Sequence, residues 1–271
     1  MARPTRNHQP LKDGLRVSIG TSTLELRVDN QLATVFIDGA ESSCINLSDP
    51  TALEFEYMQQ MTAAMSVLFP FGPVRALHLG AAACCLPLAW HHLRPGSQQV
   101  AVEINADLAR VVRNLFDLPR SPHLKIRVAD AREALNQYAP GRFDVIVRDV
   151  FTDAHTPQNL RSKQFFETAQ RVLSPTGVLL VNAAHGKGVD ARTDVAGALA
   201  TFEHVAICAE SKVLSGGRRG NVCIIALNEP PADYFQLLQR ELRKLAFTPR
   251  FLETSKARRW VGTSQPVTDI R

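Results

Sequence analysis

The sequence predicts a doubly wound α/β fold, and three observations carry the expectation. From Val74 onward, apolar stretches of strand length alternate with segments of helical period. The first stretch runs into a tight turn of small residues, Leu79-Gly80-Ala81-Ala82-Ala83. Three later stretches end in a carboxylate: Glu103, Asp130 and Asp149. Parallel strands joined by helices put their carboxyl ends along one edge, where open α/β sheets bind ligands, so these acids should share one rim.

The elements follow in order. Residues 1–14 are polar and basic and read as a flexible tail without the apolar core of a secretory signal. Residues 15–50 alternate apolar and polar around Asp29-Asn30 and Asp38-Gly39, which predicts a small antiparallel β meander. Residues 51–73 form a connecting helix, opened by Ser48-Asp49-Pro50, with Leu53, Tyr57, Met61, Ala64, Met65 and Leu68 at helical spacing. Residues 74–271 form a Rossmann-like nucleoside-binding domain. Its strands are expected at 74–80, 99–104, 124–129, 143–150, 178–183, 204–213 and 221–228. Helices are expected near 84–93, 106–116, 131–138, 160–173, 189–202 and 231–245. Only the glycine-rich 215–220 stretch separates the last two strands, so one of them must run antiparallel. A seven-stranded sheet ending in an antiparallel hairpin is the usual arrangement of class I S-adenosylmethionine-dependent transferases.

Composition narrows the class. The chain has 271 residues, 45% hydrophobic and 21% charged, the mixture of an ordinary soluble domain. No apolar run reaches the roughly 18 residues of a membrane span, so no membrane partner is expected. Five cysteines, none in a CxxC pair, argue against a zinc site or disulfide framework and fit a reducing cytoplasm. No metal-binding motif is present. The net charge of +5 comes without interleaved aromatics or a nucleic-acid motif, so no nucleic-acid partner is expected.

Each rim residue has a chemistry. Gly80 and Ala82, in the turn after the first strand, would let a ligand approach the backbone and the free N–H groups of the following helix; small residues there also serve packing alone. Glu103 can accept both hydrogen bonds of a ribose diol. Asp130, with the amide of Ala131, can read an adenine edge, and it can equally cap the helix that begins there. Asp149 ends an almost wholly apolar strand. A carboxylate buried there needs a cation, which a ligand amine or sulfonium would supply, as would Arg148 or another arginine. Tyr57 fits a core position by its spacing and also a place above the rim.

These residues resemble the spermidine/spermine synthase (polyamine aminopropyltransferase) family, in its spermidine-synthase-like bacterial branch. The resemblance covers about residues 33–230. It runs through Ile37-Asp38-Gly39, Phe55-Glu56-Tyr57, Gly80, Glu103, Asp130-Ala131 and Phe143 to Asp149, then Thr156-Pro157, Phe165-Phe166 and Leu173 to Leu179. It implies decarboxylated S-adenosylmethionine as cosubstrate, with ribose on Glu103, adenine beside Asp130-Ala131, and Asp149 accepting the proton of an attacking amine. Tyr57 and Asp153 would contact that small-molecule amine. The resemblance also implies a homodimer paired through the meander.

The amine-binding half departs from the family pattern. Ala83 stands where the glycine loop carries an aspartate that pairs with the aminopropyl ammonium. Asp149-Val150-Phe151-Thr152-Asp153-Ala154 is one residue longer than the family motif and lacks its proline. Loss of one partner of a buried ammonium costs about 3–5 kcal/mol. The expected activity is aminopropyl transfer to a polyamine acceptor through an eroded amine site. The alternatives are a methyltransferase using intact S-adenosylmethionine, which Ala83 would not repel, and an inactive nucleoside-binding homologue.

Overall fold

Side chains alternate across each strand, and this divides the apolar residues into two sets, one for each face of a central sheet. The structure, a computed structural model, describes residues 11–152 and 155–269. It begins with β1 (Leu15–Ile19), β2 (Ser22–Asp29), β3 (Leu32–Ile37) and β4 (Ala40–Asn46), an antiparallel sheet in sequence order. Asn30 and Asp38 take positive φ in two of its turns, a conformation that short polar side chains tolerate.

Helix α1 spans Glu56–Leu68. It does not open at Ser48-Asp49-Pro50, because the Asp49 carboxylate holds a local turn instead, accepting from the Thr51 amide at 3.0 Å and hydroxyl at 2.6 Å.

The main domain then alternates β5 (Arg75–Leu79), α2 (Cys85–Leu93), β6 (Gln98–Glu103), α3 (Ala106–Leu115), β7 (Leu124–Val128), α4 (Ala131–Asn136), β8 (Phe143–Arg148), α5 (Lys163–Val172), β9 (Leu173–His185) and α6 (Arg192–Thr201). It closes with β10 (His204–Ala209), α7 (Ser211–Leu214), β11 (Gly220–Leu227), α8 (Tyr234–Leu242), β12 (Arg250–Leu252) and α9 (Thr254–Val261). Side chains cap three of the helices: Asn105 for α3, Asp130 for α4 and Ser162 for α5.

Strand order is β12-β10-β11-β9-β8-β5-β6-β7. Strands β7, β6, β5, β8 and β9 pair in parallel, and β11 inserts antiparallel between β9 and β10. This is the class I S-adenosylmethionine-dependent transferase arrangement with two corrections. The sheet has eight strands, not seven, because Arg250–Leu252 adds an antiparallel edge to β10. The strand expected over 204–213 ends at Ala209, and Val213 and Leu214 bury themselves in the short helix α7, so the connection to β11 is no bare hairpin.

One face of the sheet is covered by the meander, α1, α2, α3 and α8, the other by α4, α5, α6 and α9. Side chains of Val145 and Val147 belong to the first set and Ile146 to the second. Asp149 therefore points toward α1, and Arg148 away from it. Strand order reverses between β5 and β8, and the candidate site lies at their carboxyl ends.

Candidate active site

The ends of β5 and β8 approach more closely than side chains would allow. The Asp149 amide donates to the Leu79 carbonyl at 2.8 Å, and the Gly80 amide donates to the Val102 carbonyl at 3.0 Å. Gly80 has φ +83°, and a Cβ there would stand 2.1 Å from the Asp149 carbonyl oxygen. The glycine is required by this crossing, which sets where Asp149 leaves the sheet.

Asp149 is half-buried and held from two sides. The Tyr57 hydroxyl, from α1, donates to Oδ2 at 2.8 Å, and Asn182 Nδ2, from β9, donates to Oδ1 at 2.9 Å. Burial pushes the carboxyl above the ordinary aspartate range, while the Asn182 and Tyr57 bonds and the Arg148 charge oppose that rise. Burial, and the carboxylate beside it, push the Tyr57 phenol well above its usual value, so it remains a donor.

The ion pair of Arg148 is with Asp194 and not with its neighbour Asp149. Lying on the opposite face, Arg148 is fully buried and donates to Asp194 Oδ1 at 2.6 Å, to the Leu160 carbonyl at 2.9 Å and to the Asn182 carbonyl at 2.9 Å. Among the described residues, Asp149 has neutral hydrogen-bond donors and no cation in contact.

The other side of the rim is built around Glu103. Its Oε2 accepts from the amides of Ala81 at 3.4 Å and Ala82 at 3.2 Å, and its Oε1 from the Asn105 amide at 2.9 Å. The Ala83 amide donates to Ser43 Oγ at 3.2 Å, and the Cys84 amide to the Ala81 carbonyl at 2.7 Å. The amides of Ala81 to Cys84 are thus taken by Glu103, the meander and the turn itself, ahead of the first residues of α2. Ala82 and Cys84 take φ of 42° and 59°. They keep a glycine-like path without glycine, at a cost of about 1–2 kcal/mol per residue.

Asp130 caps α4, its Oδ1 accepting from the Glu133 amide at 2.9 Å, and Ala131 is buried as the first helical residue. Rim order follows sheet order: Asp130 after β7, Glu103 on β6, Gly80 after β5, Asp149 after β8 and Asn182 on β9. Asp153 lies outside the described residues.

Two residues escape the sequence reading. Asn182 is a lone amide within the apolar run Leu179-Leu180-Val181-Asn182-Ala183, which is itself the signal that could have found it. Ile104 follows Glu103 directly and is 71% exposed. An apolar side chain on the lip beside Glu103 is suited to cover a flat heterocycle. No cluster of three metal-ligating groups exists among the described residues, and no helix is long and apolar enough to cross a membrane.

Fold and rim define a transferase of the class I S-adenosylmethionine-dependent architecture. A crystal structure described as a probable spermidine synthase from Corynebacterium glutamicum superposes with a TM-score of 0.88 at 32% identity, covering 96% of this chain and 98% of that one. The chain belongs to the spermidine synthase family. A polyamine aminopropyltransferase of Chromobacterium violaceum is 28% identical over 193 residues, 70% of each chain. One from Vibrio vulnificus is 27% identical over 130 residues, which span 47% of this chain and 43% of that protein. No protein-family profile matches the chain.

Proposed function

We propose that this chain transfers the aminopropyl group of decarboxylated S-adenosylmethionine to a small amine. The observation that carries the reading is Asp149: a carboxylate at the switch point of the sheet, fixed by Tyr57 and Asn182, with no cation in contact among the described residues. The similarity to proteins named spermidine synthase and polyamine aminopropyltransferase supports the same reaction.

The chemistry asks little of the protein beyond alignment. The amine nitrogen attacks the carbon next to the sulfonium, a C–N bond forms, the C–S bond breaks, and 5′-methylthioadenosine leaves. The proton shed by the nitrogen goes to Asp149. Burial raises that carboxyl and makes it a better base than an exposed aspartate. After accepting its three amides Glu103 keeps one free acceptor site, on Oε1, so a ribose diol would take that site and displace the long Ala81 contact at 3.4 Å for its second hydrogen bond. Ile104 would cover one adenine face, and Asp130 with Ala131 would meet its edge. Gly80 and Ala82 would shape the wall against the sulfonium.

The amine pocket is read as eroded. Ala83 is fully enclosed, with its amide on Ser43, so position 83 offers the aminopropyl ammonium no charge. Tyr57, and Asp153 four residues after Asp149 in the sequence, are left to orient the acceptor.

The test offers purified protein decarboxylated or intact S-adenosylmethionine in calorimetry, then assays product mass with putrescine, spermidine and cadaverine. Tighter binding of the decarboxylated form, with a mass gain of one aminopropyl group, is expected. Preference for the intact form with methyl transfer would replace the reading with a methyltransferase. Binding of neither would leave a homologue without this activity.

A further inference from the structure

Behind Asp149, on the face turned away from α1, lies a buried charge cluster that the reaction above does not use. Arg148 is wholly enclosed and spends its guanidinium on three groups from three segments: Asp194 of α6, the carbonyl of Leu160 and the carbonyl of Asn182. Asp194 is buried as well, and its second oxygen accepts from Arg161 Nε at 2.9 Å and Nη2 at 2.7 Å. Arg161 also reaches the Asp190 carbonyl at 2.9 Å and the Thr193 hydroxyl at 2.7 Å.

Two of the three Arg148 acceptors belong to the site itself. Asn182 is the residue whose side chain holds Asp149 Oδ1. Leu160 closes the segment that leaves Asp149 and returns to α5. One guanidinium therefore ties together β8, just ahead of Asp149, the strand β9 that supplies its amide partner, and Leu160 ahead of α5. An apolar side chain on this face would fill the same space and bind none of the three.

We propose that Arg148 is the positioning residue of this site: by gripping Asn182, Leu160 and Asp194 together, it sets where the Asp149 carboxylate stands and supplies the positive charge behind it.

The charges support this role. Arg148 and Arg161 carry two positive charges and Asp194 one negative, so ionised Asp149 brings the group to neutrality. The Arg148 charge counteracts the effect of burial on Asp149. Among the described residues, the other titratable groups facing Asp149 are Tyr57 from α1, Cys85 from α2 and Cys223 from β11. Burial, or the Cys208 bond in the case of Cys223, raises all three above their usual values, so they stay uncharged. Arg148 is the cation whose charge reaches the carboxylate.

The inference rests on Asp149 acting as the base, and its test does not require turnover. The Asp149 carboxyl is titrated by carbon NMR in protein labelled at aspartate, its signal assigned by loss in Asp149→Asn. In Arg148→Met the signal should titrate at higher pH than in the native protein. In Asp194→Asn, which keeps an oxygen for Arg148 but removes the compensating charge, it should titrate at lower pH. A simple loss of packing would not move the two variants in opposite directions. Where transfer is measurable, Arg148→Met should lower kcat by about 10–100-fold while the KM for the nucleoside cosubstrate stays within about twofold. Arg148→Met decides alone if Asp194→Asn does not fold, because loosened packing around a buried carboxyl would lower its titration and not raise it; if Arg148→Met does not fold, Arg148→Gln replaces it with the same expected direction. A titration superimposable on the native one, or a shift against the stated direction, would overturn the role of Arg148. Absence of transfer by the native protein would overturn the proposed reaction and leave the titration to judge Arg148 separately.

Discussion

Replacing Gly80 by alanine tests the crossing that positions Asp149. The new Cβ would lie 2.1 Å from the Asp149 carbonyl oxygen and 2.8 Å from its carbonyl carbon, against the 3.0 Å below which real Cβ contacts essentially do not occur. The obstacle is backbone, so β8 must recede from β5 by about 1 Å. Holding a non-glycine residue at φ +83° adds about 1–2 kcal/mol, and forced displacement in a packed region about 1–3 kcal/mol. Together these lower stability by roughly 2–5 kcal/mol, or roughly 4–20 °C in thermal melting for a domain of this size. The same 1 Å shift moves the carboxylate relative to Tyr57 and Asn182, and a misplacement of that order costs about a hundredfold in rate. Calorimetric melting and transfer assays on Gly80→Ala read the two effects separately. Native melting with native turnover would refute the claim that this glycine exists for the approach of the two strands.

Other outcomes follow from single contacts. Tyr57→Phe removes one of the two donors on Asp149, so its carboxyl should rise further and the acid limb of kcat should move to higher pH; an unmoved limb would show that the phenol does not bear on the base. Ala82→Gly relieves a left-handed alanine and should raise stability by up to about 1 kcal/mol in denaturant unfolding; lower stability would mean that the loop gains from the methyl group. His78, buried on β5 against Gln99, has its pKa lowered by burial from 6.5 to about 4. The unfolded chain therefore takes up this proton first, and stability present above pH 6.5 is lost as pH falls toward 4, by roughly 3 kcal/mol. His78→Gln should flatten the pH dependence of melting across that window, and an unchanged slope would exclude His78 as its source.

The alternation of strands and helices was legible because each strand shows apolar continuity and each helix its own period. Strand β12 was missed because three residues carry no period, and the helix start at Glu56 was misplaced because Asp49 makes a turn that imitates a cap. The rim acids were found because strand ends follow from strand boundaries. Tyr57 was placed above the rim, but Asn182 was not, because it comes from a distant segment, 33 residues from Asp149; the Arg148 partner Asp194 is likewise 46 residues away. The sequence left Arg148 as an alternative partner of Asp149; the two adjacent residues take opposite faces, and Arg148 pairs with Asp194 instead. The turn at Ala82 and Cys84 was legible as tight but not as strained, since nothing in an alanine or a cysteine announces a positive φ.

The most direct measurement is transfer by Asp149→Asn, beside cosubstrate affinity by calorimetry. Asparagine preserves size and can accept a hydrogen bond from Tyr57 or Asn182, but it cannot take a proton. Nucleoside binding at near-native affinity, with aminopropyl transfer reduced by about 10²–10⁴-fold, is the predicted pair of results. Transfer at the native rate in that variant would contradict the assignment of Asp149 as the proton acceptor and, with it, the account of the site.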